Sequence, residues 1–288
     1  MNRSLLLLNI KFLIIFSFSI TPHQHQNSAN EPIEVTDILK AAAAYCQKLE
    51  HSVLYFVCLE EITEKINFDK DIALLYRRRQ PRRSWIRTPI PLQRIKNFFV
   101  YDFQYMRRKN QIKEIRTLLE ENGKKKHEED ASLKTLSFKF KNVILGPVGI
   151  LGQRWQPYYD YKIVGEDKEN DPPAIILDIV PKHGYKMDFL FGKVWFDKNN
   201  LDILKIEWSQ QRIGNFAIFE SRGLRYKSEP CFTLCSEFKV EKNGIRFPSK
   251  FIIEEAYIDK KGKKFVRSET TVTYKDFKFF TVEVEVKQ

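Results

Sequence analysis

The stretch Leu190–Trp208 reads LFGKVWFDKNNLDILKIEW. An aromatic-rich segment runs to Asp197, the polar triplet Lys198-Asn199-Asn200 interrupts it, and a segment rich in Ile and Leu returns. Two short runs of aromatic and β-branched residues around a turn signal read as an antiparallel hairpin. A second stretch, Lys242–Ala256, reads KNGIRFPSKFIIEEA. Its Asn243-Gly244 pair is a strong hairpin turn, because both residues accept the positive φ that such turns need.

The same pattern extends on both sides. FFVYDFQYM places Phe99, Tyr101, Phe103 and Tyr105 on one strand face, and IKEIRTLLEE returns after RRKNQ. YYDYKIVGE and AIILDIVP form the next pair. KFVRSETTVTYKDF and KFFTVEVEV read as two final strands, with Phe280, Val282, Val284 and Val286 alternating with polar residues. Helical spacing appears in EVTDILKAAAAYCQKLEHS, followed directly by the strand VLYFVCLEEITEKI; QQRIGNFAIFESRGLRYKSEP reads as partly helical. NGKKKHEED reads as a charged loop. The sum is nine to eleven antiparallel strands and two or three helices: one α+β domain on a single large sheet.

The N-terminus carries a different signal. Arg3 precedes an apolar run from Leu5 to Ile20, and small residues follow at Ser28 and Ala29. This is the layout of a secretory leader cut after Ala29. Lys11 interrupts the run, which argues against a membrane-spanning helix. The expected organisation is a leader over residues 1–29 and one domain over 30–288, exported to the periplasm or secreted.

Export changes the reading of a net charge of +12. Loss of the leader with Arg3 and Lys11 takes 2 from 12 and leaves +10. A basic protein outside the cytoplasm meets anionic lipid or cell-wall polymer rather than nucleic acid. The densest basic segment is YRRRQPRRSWIRTPIP, Tyr76–Pro91. Its three prolines give an extended loop, and no nucleic-acid module surrounds it. Arg77, Arg78, Arg79, Arg82, Arg83 and Arg87, with Trp85 among them, are the candidate contact with an anionic membrane. The alternative is a solvated loop without a partner.

Catalytic signals are missing from the sequence. The five histidines are scattered, and no nucleophile elbow or zinc-protease motif occurs. Gly146, Gly149 and Gly152 lack the lysine and hydroxyl of a phosphate loop, so they read as a short buried turn and helix. Glu60-Glu61 and Glu254-Glu255 are adjacent pairs on strands, so their carboxylates point to opposite faces. No enzyme, cofactor or metal site is expected. Of four cysteines, Cys231 and Cys235 lie about 13 Å apart along a strand, too far to bond. Cys46 and Cys58 lie on a helix and the strand after it; a disulfide and two buried thiols are equally open readings.

The order of elements, with the two hairpin stretches quoted above, resembles the LolA/LolB-like periplasmic lipoprotein-carrier superfamily. The resemblance implies an open half-barrel whose concave face, partly covered by helices, shelters acyl chains. Phe191, Trp195, Leu204, Trp208, Phe247, Phe251 and Tyr257 are then the candidate lining; the alternative is that they fill a core. The function so implied is a monomeric, non-catalytic lipid- or lipoprotein-binding carrier. The competing reading is an envelope interaction protein with a solid core, bound to another protein or an anionic polymer.

Overall fold

The computed structural model describes residues 33–79, 93–108, 111–183, 190–209 and 216–280, which apart from Ile33 belong to one compact unit, Glu34–Gln288. The chain enters through α1 (Val35–Ser52), whose first turn is closed by a reciprocal Glu34–Asp37 capping box. Its buried residues, Ile38, Ala42, Cys46 and Leu49, recur every three or four positions along one stripe. A 3₁₀ turn then leads into β1 (Phe56–Asn67).

Helix α2 (Asp69–Arg79) follows, then β2 (Arg94–Arg108), β3 (Gln111–Glu121) and β4 (Lys124–Glu128). After a long crossing segment come the short α3 (Val148–Leu151), β5 (Tyr159–Asp167), β6 (Ala174–Pro181), β7 (Gly192–Asp197) and β8 (Ile203–Trp208). Helix α4 (Phe216–Tyr226), β9 (Ser228–Glu237), β12 (Lys250–Asp259) and β13 (Lys264–Phe279) complete the main body. Between β9 and β12, β10 (Val240–Lys242) and β11 (Ile245–Phe247) form a small separate hairpin.

Eleven strands form one antiparallel sheet in the order β4-β3-β2-β1-β13-β12-β9-β8-β7-β6-β5. The sheet does not close, so β4 and β5 are its edges. This is the open, half-barrel α+β architecture expected from the sequence. The first and last of the described strands, β1 and β13, are the fourth and fifth in that order, in a register running from Phe56 opposite Phe279 to Ile66 opposite Ser268.

That order imposes a crossing. The chain leaves at the β4 edge and resumes at the β5 edge, ten strand spacings away, or roughly 48 Å. The connection, residues 129–158, spans this distance easily at about 3.3 Å per residue. It runs over one face of the sheet.

Several local expectations change. NGKKKHEED is a hairpin rather than a loop: Asn122 and Gly123 adopt φ of 51° and 80°, and Lys124–Glu128 pairs with β3. The Asn243-Gly244 turn forms as read, with φ of 53° and 67°, but closes the small β10–β11 hairpin while β9 pairs with β12 beyond it. KFVRSETTVTYKDF forms β13, which runs on to Phe279; Phe280 follows it and is exposed, and the rest of the last expected strand, 281–286, lies outside the described residues. The leader also lies outside them. Among the described residues no helix is long and apolar enough to cross a membrane.

Candidate functional site

Strand alternation sorts the sheet into two faces. On β1, Phe56, Cys58, Glu60, Ile62, Glu64 and Ile66 are all buried, while the residues between them are more exposed. Through the pairing, Tyr101, Phe99 and Phe103 of β2 and Tyr274, Val272 and Thr270 of β13 share that face. So do Phe251, Ile253 and Glu255 of β12 and Phe232 and Ser236 of β9.

The crossing segment covers this inner face as a strap. Phe138 packs edge-on to Phe232 at 5.4 Å, and Phe140 edge-on to Phe251 at 5.7 Å. Near α3, Gly146 lies so close to the Trp208 indole that an added Cβ would be 3.0 Å from it. Ile144, Ile150 and Leu151 are wholly buried.

Side chains, rather than a strand ladder, hold the strap's backbone. The Glu64 carboxylate is inaccessible to solvent. One oxygen accepts the N–H groups of Leu136 (2.8 Å) and Ser137 (2.7 Å), and the other accepts from Asn97 (2.9 Å). Tyr101 Oη accepts from the Lys134 N–H at 3.0 Å. Further along, the Tyr159 and Tyr161 hydroxyls donate to the carbonyls of Gly149 (3.2 Å) and Ile150 (2.6 Å). Lys139 donates to the carbonyls of Leu133 and Thr135 within the strap, and burial lowers its pKa.

Two ion-pair networks stand on the same face. Glu60 accepts Nε (2.6 Å) and Nη2 (3.1 Å) of Arg116 and the Tyr274 hydroxyl (2.9 Å). Arg116 also reaches Glu114 at 3.0 Å, with its guanidinium over the Phe103 ring. Burial opposes the charge on Arg116, but the hydrogen bonds and charges of the two glutamates outweigh it and raise its pKa. The second network centres on Glu255, which meets Arg222 (2.9 Å), Arg267 (3.1 Å) and the Tyr257 hydroxyl (2.5 Å). Arg267 continues to Asp71 at 3.1 Å, and Asp71 accepts the Tyr226 hydroxyl at 2.7 Å. Among the described residues no group of three or more His, Cys, Asp or Glu could hold a metal ion.

The residues singled out in the sequence separate. Phe191 and Trp208 line one open cleft of about 890 Å³ with Gly192, Lys193, Phe216 and Glu220. Phe251 touches the strap, and Tyr257 belongs to the Glu255 network. Phe247 sits with Phe56, Phe277 and Phe279 at ring distances of 5.5, 5.1 and 5.4 Å. Trp195 and Leu204 do not join this face. Val194 pairs with the inward Ile206, so Trp195 points outward, where Lys205 Nζ lies 3.8 Å above its ring. Leu204 is the extra residue of a bulge and packs there with Ala174 and Trp195.

Cys46 and Cys58 are free, buried thiols, the second of their two readings. Burial pushes Cys46 up to about 12 and Cys58 higher still, so both are unreactive near neutrality. Arg77, Arg78 and Arg79 end helix α2 instead of opening a loop, while Arg82, Arg83, Trp85 and Arg87 lie outside the described residues. Sequence reasoning missed the strap and its anchors. For the two buried ion-pair networks, also missed, one signal was present: if adjacent glutamates point to opposite faces, one of each pair must point inward. Glu60 and Glu255 do so, while Glu61 and Glu254 pair outside with Lys275 and Lys264, each at 2.6 Å.

No protein-family model matches the chain, and no curated protein does. Among solved structures, a DUF1329 family protein from Desulfovibrio piger is similar at 11% identity over 84% of this chain and 92% of that one, with a TM-score of 0.39. A LolA superfamily protein from Nitrosomonas europaea is similar at 12% identity over 88% and 96%, with a TM-score of 0.34.

Proposed function

We propose that the protein is an exported, non-catalytic carrier or binder of the acyl chains of a lipid or lipoprotein, monomeric and working in the bacterial envelope. In this reading the strap occupies the acyl site when cargo is absent. The observation that carries it is the way the inner face is covered. A large aromatic face is closed by an irregular segment that inserts Phe138 and Phe140 and is held by a few side-chain anchors. A segment without a backbone ladder can leave without breaking the sheet, and leaving would expose the apolar face an acyl chain needs. At its β3 end the strap already borders an open cleft of about 810 Å³, lined by Ile112, Arg116, Leu133 and Phe140 among others.

Purification without detergent followed by native mass spectrometry tests this. Co-purifying acyl lipid supports the carrier. A clean apo mass, with no binding of a fluorescent fatty acid, contradicts it.

The filled inner face also favours a second reading, an interaction protein whose core is permanently packed. The buried Glu60–Arg116 pair supports it, because an acyl site gains nothing from charges at its centre. In either reading Arg77, Arg78, Arg79, Arg82, Arg83 and Arg87, with Trp85, are proposed as a reversible contact with anionic lipid.

A further inference from the structure

We propose that the acyl cargo carries a head group that donates hydrogen bonds and bears no negative charge, and that Glu64 and Thr270 select it. This rests on the carrier reading above and names the chemistry of its cargo.

The strap shows what the covered face requires. Along β1 and β2 it meets side-chain acceptors with backbone N–H groups: Leu136 and Ser137 donate to one Glu64 oxygen, and Lys134 donates to Tyr101 Oη. Phe138 and Phe140 fill the apolar surface beside them. A ligand in the strap's place meets the same groups, so it needs an apolar chain and an N–H or O–H donor. Without a donor, the buried Glu64 carboxylate keeps its bond from Asn97 and loses the two from the strap. Such a loss is costly for a charged group in an apolar interior.

Thr270 marks the same subsite independently. It stands opposite Glu64 in the β1–β13 register, on the same face. Its side chain is wholly buried, and its Oγ1 makes no hydrogen bond among the described residues. Buried hydroxyls are ordinarily paired. Opposite residues on neighbouring strands lie about 5 Å apart, so one head group can reach both.

Charge argues against a carboxylate or phosphate head group here. Glu60 and Glu64 stand two positions apart on this face. Arg116 is taken by Glu60 and Glu114, and Arg267 by Glu255 and Asp71. Lys139 bonds to carbonyls of the strap itself and leaves with it.

Calorimetric titration of the full chain with dodecanamide, methyl dodecanoate and dodecanoate, at a mildly alkaline pH that ionises the acid, tests this. The three differ in little but a donor and a charge. The amide should bind about tenfold or more tightly than the ester, because a site built around a hydrogen bond rejects an analogue that lacks it. The carboxylate should bind more weakly still, because like charges repel. Glu64→Gln should remove the carboxylate's disadvantage relative to the ester. Thr270→Val leaves the strap's anchors in place, and should weaken the amide several-fold while sparing the ester. An unchanged melting temperature shows that each variant is folded. A carboxylate that binds wild type as tightly as the amide, or an amide preference that both variants leave intact, overturns the proposal while the carrier stands. If none of the three binds wild type, the carrier reading falls and this proposal with it.

Discussion

The wholly buried Glu60 carboxylate holds Arg116 by two hydrogen bonds of 2.6 and 3.1 Å, tying β1 to β3 across the intervening β2. Removing one partner strands the other's charge in an apolar interior. Glu60→Leu or Arg116→Met should each destabilise the protein by about 3–5 kcal/mol. The double variant should recover much of that loss, because no charge is left uncompensated. Chemical denaturation of the three variants measures this, and additive losses would show that the pair is not coupled.

Glu64 anchors the strap through the N–H groups of Leu136 and Ser137. Glu64→Ala leaves both donors unpaired at a cost of about 1–3 kcal/mol each, a cost the strap avoids by lifting into water. Amide exchange at residues 136 and 137 should accelerate in this variant, and affinity for a fluorescent fatty acid should rise. Unchanged exchange would place the strap's stability in its aromatic contacts alone.

Buried thiols make the protein sensitive to alkali. The Cys46 thiol ionises near 9.0 in an unfolded chain and near 12 when folded. Its contribution to stability is complete below pH 9 and is lost as pH rises from 9 to 12. The buried hydroxyls of Tyr45, Tyr105 and Tyr274 are also raised, chiefly by burial, and act in the same direction. Melting temperature should fall across this window, and less steeply in Cys46→Ala. Native alkylation at neutral pH should spare Cys46 and Cys58.

Gly192 opens β7 where β8 passes closest. A Cβ there would lie 2.1 Å from the Glu207 carbonyl oxygen, a backbone atom that cannot swing aside. Gly192→Ala should cost about 3 kcal/mol or more, read as a lower denaturation midpoint. At Gly149 an added Cβ meets nothing within 4 Å, and Gly149→Ala serves as the mild control.

Most of the hairpins were legible in the sequence because their signals are local, while the one at Asn122-Gly123 was hidden by the run of charged residues that forms its second strand. Alternation placed Phe99, Tyr101, Phe103 and Tyr105 on one face, and Asn243-Gly244 announced its turn. The pairing of β1 with β13 was not legible, since no local feature of Phe56–Asn67 names a partner some two hundred residues away. The strap escaped for the same reason: its course follows from strand order. Leu204 was misplaced because it is the extra residue of a bulge on β8, which shifts the inward-outward count by one and is announced by no residue type. Trp195 was misplaced because β7 is buried on both faces there, so no alternation marks its direction. Helix α2 was hidden by its arginines, whose charge drew attention from the helical run Asp69–Tyr76 before them.

The central claim is that strap and cargo compete for one surface. Hydrogen exchange followed by mass spectrometry, on the full chain with and without a saturating long-chain fatty acid, tests it most directly. The amides of Lys134, Leu136 and Ser137, now bonded to Tyr101 and Glu64, should lose protection when the fatty acid binds, while β1 and β13 keep theirs. Bound fatty acid with the strap's protection unchanged or increased would contradict it.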